Sequence, residues 1–375
     1  MSNRVLKIWL LSLVLILIET GPALGKGCPN PTASAAVLMD FTTGKVLFSK
    51  NSSERRAPAS TTKILTALVA LERGDLNQVI TASTNAGKTG GSSIWLAPGE
   101  ELTLKELLYG ILLNSGNDAS VAVAEGLAGS EANFVAWMNE KVQALGGKNT
   151  CFKNSNGLPE KGHYSTAYDL ALITRYALHN PVFSEIVRTK KQAIQWPGRD
   201  YNRLMINHNK LLWRYEYANG VKTGYTKQAG RCLVASATKN GQQLIVVVLN
   251  GKRMYEDSRD LLEYGFNNYR LLTVVSPGQK VGSLQVTEGV TSQVPVLPHR
   301  PVTIVVPKEQ TDHIKVNLEI PTFLPAPIER LQRVGELEVK IGTKVVEKIP
   351  VVTAASVQKQ GFWRRLWNWI KSVIR

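Results

Sequence analysis

Acidic side chains are scarce in this chain of 375 residues: Asp and Glu number 29 against 45 Lys and Arg, a formal net charge of +16. Cysteine is rarer still, with 3. Cys28, Cys151 and Cys232 are an odd set, so at least one thiol is unpaired unless it bridges to another chain. No Cys/His grouping has zinc-ligand spacing, so neither a metal site nor a cofactor is expected. The apolar run Ile8 to Ile18 is too short for a comfortable transmembrane helix. No internal repeat or low-complexity tract stands out.

What is present begins with export. Arg4 and Lys7 precede that apolar run, and Ala23-Leu24-Gly25 offers small residues at cleavage-site positions, so residues 1–25 read as a secretory signal peptide. An uncleaved N-terminal anchor is the alternative. Lys26 and Gly27 before Cys28 do not make the small apolar box of a lipoprotein signal. Removing residues 1–25 lowers the net charge by only one, so the exported chain stays strongly basic. That charge suits an anionic surface, phospholipid or a negatively charged wall polymer, while export argues against nucleic acid.

The chain is organised around Pro58-Ala59-Ser60-Thr61-Thr62-Lys63, a small-residue turn leading into the apolar run Ile64 to Leu71. Ser60 stands at the helix entrance, where serine is favoured, and Lys63 shares its face at i+3. A lysine desolvated by packing falls from its usual pKa of about 10.4 and can take a proton from a neighbouring hydroxyl. Ser-x-x-Lys alone describes a capping serine and a snorkelling lysine as readily. Ser236-Ala237-Thr238-Lys239 and Ser356-Val357-Gln358-Lys359 repeat the spacing without opening a buried helix, so the rest of the chain has to decide.

Ser34 to Asp40 and Lys45 to Phe48 read as a strand hairpin turning at Thr43-Gly44. Helical periodicity follows at about 60–73, 103–113, 118–128, 131–145 and 166–179. Tyr217 to Tyr225, Arg231 to Thr238 and Gln243 to Leu249 are strand-like, with Lys239-Asn240-Gly241 as a tight-turn signal, and Leu261 to Tyr269 returns to helix. This order implies an α+β domain over 26–270, an antiparallel sheet with a helical block. Val, Thr, Pro and Gly then alternate without helical period, as in a small all-β domain over 271–352, followed by a polar linker at 353–361.

The tail, 362–375, has its own signature. On a helical wheel its three tryptophans and Phe362, Leu366, Ile370, Val373 and Ile374 fall within an arc of about 160°, opposite Arg364, Arg365, Lys371 and Arg375. At about 21 Å it cannot span about 30 Å of hydrocarbon, so it reads as an amphipathic helix lying on an anionic membrane surface. A core-packing terminal helix is the alternative.

Two further clusters bear on Ser60. Ser115-Gly116-Asn117 interrupts two helical runs, and Lys222-Thr223-Gly224-Tyr225 lies on a strand, where Gly224 lets a substrate backbone come close. Ser83-Thr84-Asn85 and Lys88-Thr89-Gly90 carry the same tripeptide patterns but sit together in one loop. The ordered set Ser60, Ser115, Lys222 is that of penicillin-binding proteins and serine β-lactamases. With Pro58-Ala59-Ser60, Ser115 to Ala119, His163 to Leu170, Asn207 to Leu212 and Gly220 to Thr226, the mature chain resembles the D-alanyl-D-alanine carboxypeptidase family of low-molecular-weight penicillin-binding proteins.

The resemblance implies a penicillin-binding/β-lactamase-like fold, a peptidoglycan stem peptide as substrate and β-lactams as inhibitors, at the outer face of the cytoplasmic membrane. It implies that Ser60 attacks the terminal D-Ala–D-Ala carbonyl, that Lys63 accepts its proton, and that Ser115 relays a proton to the leaving amine. Lys222 would act electrostatically and Asn117 would orient the substrate amide. The N–H groups of Ser60 and Tyr225 would form the oxyanion hole, and Thr223 with an arginine, Arg253 or Arg203, would grip the carboxylate. His163 and His208 read as structural hydrogen-bonding residues, and Cys232 as a buried small hydrophobe. A β-lactamase would share the fold, but no glutamate between the second and third clusters stands in Glu-x-x-Leu-Asn. A non-catalytic, membrane-tethered wall-binding protein would need neither Ser60 nor Lys63.

Overall fold

The computed structural model describes residues 27–361; the signal peptide expected at 1–25 and the helix expected at 362–375 lie outside the described residues. The chain opens with β1 (Ala35–Asp40) and β2 (Val46–Lys50), whose turn is closed by the Thr43 N–H donating to Asp40 at 2.8 Å. A 3-10 turn, Ala59–Thr62, runs into α1 (Lys63–Arg73), buried from Lys63 through Ala70. Burial on every side marks it as the central helix. β3 (Val79–Thr81) and β4 (Glu101–Thr103) flank the short α2 (Thr84–Gly87).

The helical block follows, each member started by local chemistry. α3 (Leu104–Leu112) opens on a reciprocal capping box between Thr103 and Glu106. α4 (Asn117–Ala128) ends at Gly129, whose φ of +74° glycine adopts without strain. α5 (Glu131–Ala144) and α6 (Ala167–Ala177) are capped by Ser130 and Thr166. α7 (Pro181–Arg188), absent from the periodicity reading, is short; Asn180 caps it and Pro181 opens its first turn.

A hairpin of β5 (Lys191–Ile194) and β6 (Arg203–Ile206) and a single turn, α8 (Leu211–Arg214), precede the meander β7 (Ala218–Thr226), β8 (Gly230–Lys239) and β9 (Gln242–Leu249). α9 (Met254–Asn268) closes this half. The sheet order is β2-β1-β9-β8-β7, antiparallel throughout. Lys239 pairs with Gln242 across Asn240 (φ +52°) and Gly241 (φ +78°), the two-residue turn expected there. Strand alternation divides the core: Val37, Met39, Val234 and Val247 face the helical block, while Leu38, Leu233, Val246 and Val248 meet Leu261, Leu262 and Phe266 of α9. The α+β architecture is as expected, with helices on both faces of the sheet.

The remaining strands are β10 (Tyr269–Val275), β11 (Gly282–Thr287), β12 (Gln293–Pro298), β13 (Val302–Pro307), β14 (Ile314–Glu319), β15 (Phe323–Pro325), β16 (Arg333–Ile341) and β17 (Lys344–Thr353). β10 pairs with β13, and the others form one sheet, β14-β16-β17-β12-β11-β15, over a core including Leu284, Val296, Leu337 and Val351. Lys45 Nζ donates to the Val305 carbonyl at 3.1 Å and joins this sheet region to the first half. Residues 354–360, read from composition as a polar linker, are bonded to it: Ala354 N–H donates to Pro295 O at 2.9 Å and Val357 N–H to Ile328 O at 2.8 Å. No helix among the described residues is long and apolar enough to cross a membrane.

Candidate active site

Ser60 lies inside the 3-10 turn rather than at a helix cap, and its side chain caps nothing. The turn is held in an unusual shape. Ala59 has φ +47°, the left-handed region that a Cβ disfavours. Two glycines close on it: a Cβ at Gly157 would lie 2.0 Å from the Ala59 carbonyl oxygen, and one at Gly224 would lie 2.9 Å from the Ser60 nitrogen. Gly224 was expected to admit a substrate backbone; what it admits is the protein's own Ser60 turn.

Lys63, on the first turn of α1, is fully buried. Its Nζ lies 3.2 Å from Ser60 Oγ, 2.6 Å from Asn117 Oδ1 and 2.5 Å from the Asn156 carbonyl oxygen. Burial, then repulsion from Lys222, holds its pKa well below the usual 10.5, while Asp118 pulls the other way. As a neutral amine it has two hydrogens for the two carbonyl oxygens, which leaves its lone pair for the Ser60 hydroxyl.

Ser115 sits at φ +64° between α3 and α4 and is buried. Asn117 opens α4: its Nδ2 donates to the Gly90 carbonyl at 2.7 Å, and its backbone N–H donates to Ser92 O at 2.7 Å. Asp118, which the sequence reading passed over, accepts from Ser93 Oγ at 2.6 Å and from the Ile94 and Leu96 N–H groups at 3.0 and 3.1 Å. The loop holding the decoy Lys88-Thr89-Gly90 is thus a wall of the site. Its Gly90 carbonyl is the signal's only part in it.

Lys222 on β7 is 1% exposed and donates to the Thr223 carbonyl at 3.0 Å. Burial lowers its pKa to about 7. Neither Lys63 nor Lys222 forms an ion pair among the described residues. Thr223 is half-buried and Tyr225 exposed. The structure therefore gathers Ser60, Lys63 and Asn117 by direct contact, with Gly224 packed on the Ser60 turn and Lys222 near enough to repel Lys63.

The sequence comparisons agree with this geometry. A family profile described as D-alanyl-D-alanine carboxypeptidase matches residues 24–253, and one described as penicillin-binding protein 5, C-terminal domain, matches 269–359. The chain belongs to the D-alanyl-D-alanine carboxypeptidase family. It is 38% identical over 352 residues to D-alanyl-D-alanine carboxypeptidase DacF of Bacillus subtilis, covering 90% of either chain. With DacC of Escherichia coli it shares 32% over 359 residues, 91% of this chain and 88% of the other. Penicillin-binding protein 5 from Haemophilus influenzae has a similar solved structure, with TM-score 0.78 and 30% identity over 89% of this chain and all of that one.

Within this carboxypeptidase fold the remaining sequence candidates separate. Arg203 is 2% exposed and ion-paired with Glu100 at 2.8 Å, so it is committed elsewhere and does not serve as a carboxylate grip. Arg253 stands at the start of α9. His163 accepts the Lys153 N–H on Nδ1 at 3.1 Å, which leaves Nε2 to donate to Thr62 Oγ1 at 2.9 Å. Burial and the nearby Lys63 lower its pKa to about 4, so it is neutral, as a structural role requires. His208 is exposed, its N–H donating to Leu113 O at 3.1 Å. Cys232 is fully buried and its thiol pKa is pushed up to about 11, an inert setting.

Proposed function

We propose that Ser60 is the nucleophile and Lys63 its base in the family's reaction, release of the terminal D-alanine from a peptidoglycan stem peptide. The observation that carries this is the hydrogen-bond set of Lys63. Two fixed carbonyl oxygens take its hydrogens, and the remaining lone pair meets Ser60 Oγ at 3.2 Å. As Oγ attacks the D-Ala–D-Ala carbonyl, its proton passes to Nζ. The N–H groups of Ser60 and Tyr225 receive the developing oxyanion. Ser115 relays a proton to the departing amine, the C–N bond breaks, and water then hydrolyses the ester.

Lys222 contributes positive charge beside Ser115, and the second N–H of Asn117 Nδ2 is left for a substrate amide. Thr223 and Arg253 grip the terminal carboxylate. A β-lactam follows the same attack but keeps its leaving group tethered, so the ester on Ser60 lasts. Fluorescent penicillin distinguishes the alternatives: a long-lived adduct is expected, whereas rapid turnover would indicate a β-lactamase and absent labelling a non-catalytic wall-binding protein. The chain is exported and held at the membrane's outer face by residues 362–375, which sedimentation with anionic liposomes, with and without the tail, tests directly.

A further inference from the structure

Trp95 is 69% exposed, yet its neighbours Ile94 and Leu96 are buried at 0% and 4%. Its backbone has φ +58°, fixed by Trp95 N–H donating to Ser93 Oγ at 2.7 Å and by Asp118, which holds the N–H groups on either side. A rigid loop therefore holds a large indole out in water, against its usual tendency to bury. The β5–β6 hairpin tip faces it. Trp196 there packs edge-on to Tyr201, 59% exposed, at 5.6 Å, and carries the guanidinium of Arg203 at 4.6 Å. Trp95, Glu100, Trp196 and Arg199 line one hollow of about 560 Å³.

We propose that this hollow is a subsite for the sugar of the polymer that carries the stem peptide. The inference rests on the carboxypeptidase reading above and adds a second recognition site to it. Flat aromatic faces match the C–H face of a pyranose, and a carboxylate and a guanidinium at the rim match its hydroxyl and amide groups. The hollow is continuous with the catalytic cleft through the loop itself. Ser92 O accepts the Asn117 N–H, and three residues of chain carry Trp95 at most about 11 Å farther. A stem peptide with four residues on the acyl side of the scissile bond spans about 14 Å when extended. The sugar at its far end therefore reaches Trp95 while its D-Ala–D-Ala end lies at Ser60.

The test compares one pentapeptide ending in D-Ala–D-Ala, free and carrying the disaccharide, on the full mature chain and on Trp95→Ala and Tyr201→Ser. The parent is expected to show a KM about tenfold lower for the sugar-bearing form, and the variants to lose that advantage. Free-peptide turnover and penicillin labelling should be unchanged. Equal KM values on the parent, or an equal loss on both substrates in the variants, overturns the subsite. Quenching of tryptophan fluorescence by the disaccharide-peptide, present in the Ser60→Ala protein and lost when Trp95→Ala is added, reads binding without turnover. Failure of the catalytic reading alone would leave that quenching intact.

Discussion

Gly157 and Ala59 are in such close contact that a single added carbon on the glycine would fall 2.0 Å from the alanine carbonyl oxygen. The nucleophile's turn is shaped by what the rest of the chain leaves out. Gly157 itself has φ +86°, so both its space and its backbone require glycine.

Two substitutions separate those demands. Gly224→Ala, whose Cβ would meet the Ser60 nitrogen at 2.9 Å, should shift the nucleophile more than it unfolds the protein. Penicillin acylation is expected to fall by about 10²-fold with a small change in Tm. Gly157→Ala should lose both acylation and stability. Unchanged acylation in Gly224→Ala, measured by stopped-flow, would mean that the turn is not held from β7.

Lys63→Arg keeps a positive charge but cannot give up its proton at working pH. Acylation should drop by about 10² to 10⁴-fold. A near-normal rate in that variant, with circular dichroism unchanged, would show that another group takes the Ser60 proton.

His163 predicts an acid limit to stability. Its pKa is about 4 in the fold against 6.5 for an unperturbed histidine, so the unfolded chain binds more protons between those values. The contribution is complete above about 6.5, declines as pH falls, and is lost below about 4, a span of about 3 kcal/mol. Urea denaturation from pH 7 to 4 should show this slope in the parent and a shallower one in His163→Gln. Equal slopes would place the acid sensitivity elsewhere.

Much of this was legible in the chain. α1 and the three meander strands show in the sequence because a buried helix and a two-faced sheet demand long apolar patterns, and Ser60, Lys63, Ser115 and Lys222 lie in motifs bound to those elements. Asp118, Asn156 and Gly157 were missed because they act on backbone atoms distant in sequence, which no local pattern records. Gly224 was noticed for the wrong reason, since a glycine beside a motif looks the same whether it admits a ligand or another turn. Arg203 was a candidate by charge alone, and only the fold pairs it with Glu100. α7 carries one short turn and a half of apolar residues, too little periodicity to register.

The most direct measurement is peptide mapping by mass spectrometry of the purified protein after brief exposure to penicillin. The expected result is one stoichiometric acyl adduct on the peptide containing Ser60, absent from Ser60→Ala. An adduct on Ser236, Ser356 or any other residue of the parent, or undiminished labelling of Ser60→Ala, would contradict the assignment of Ser60 and Lys63 as the reacting pair.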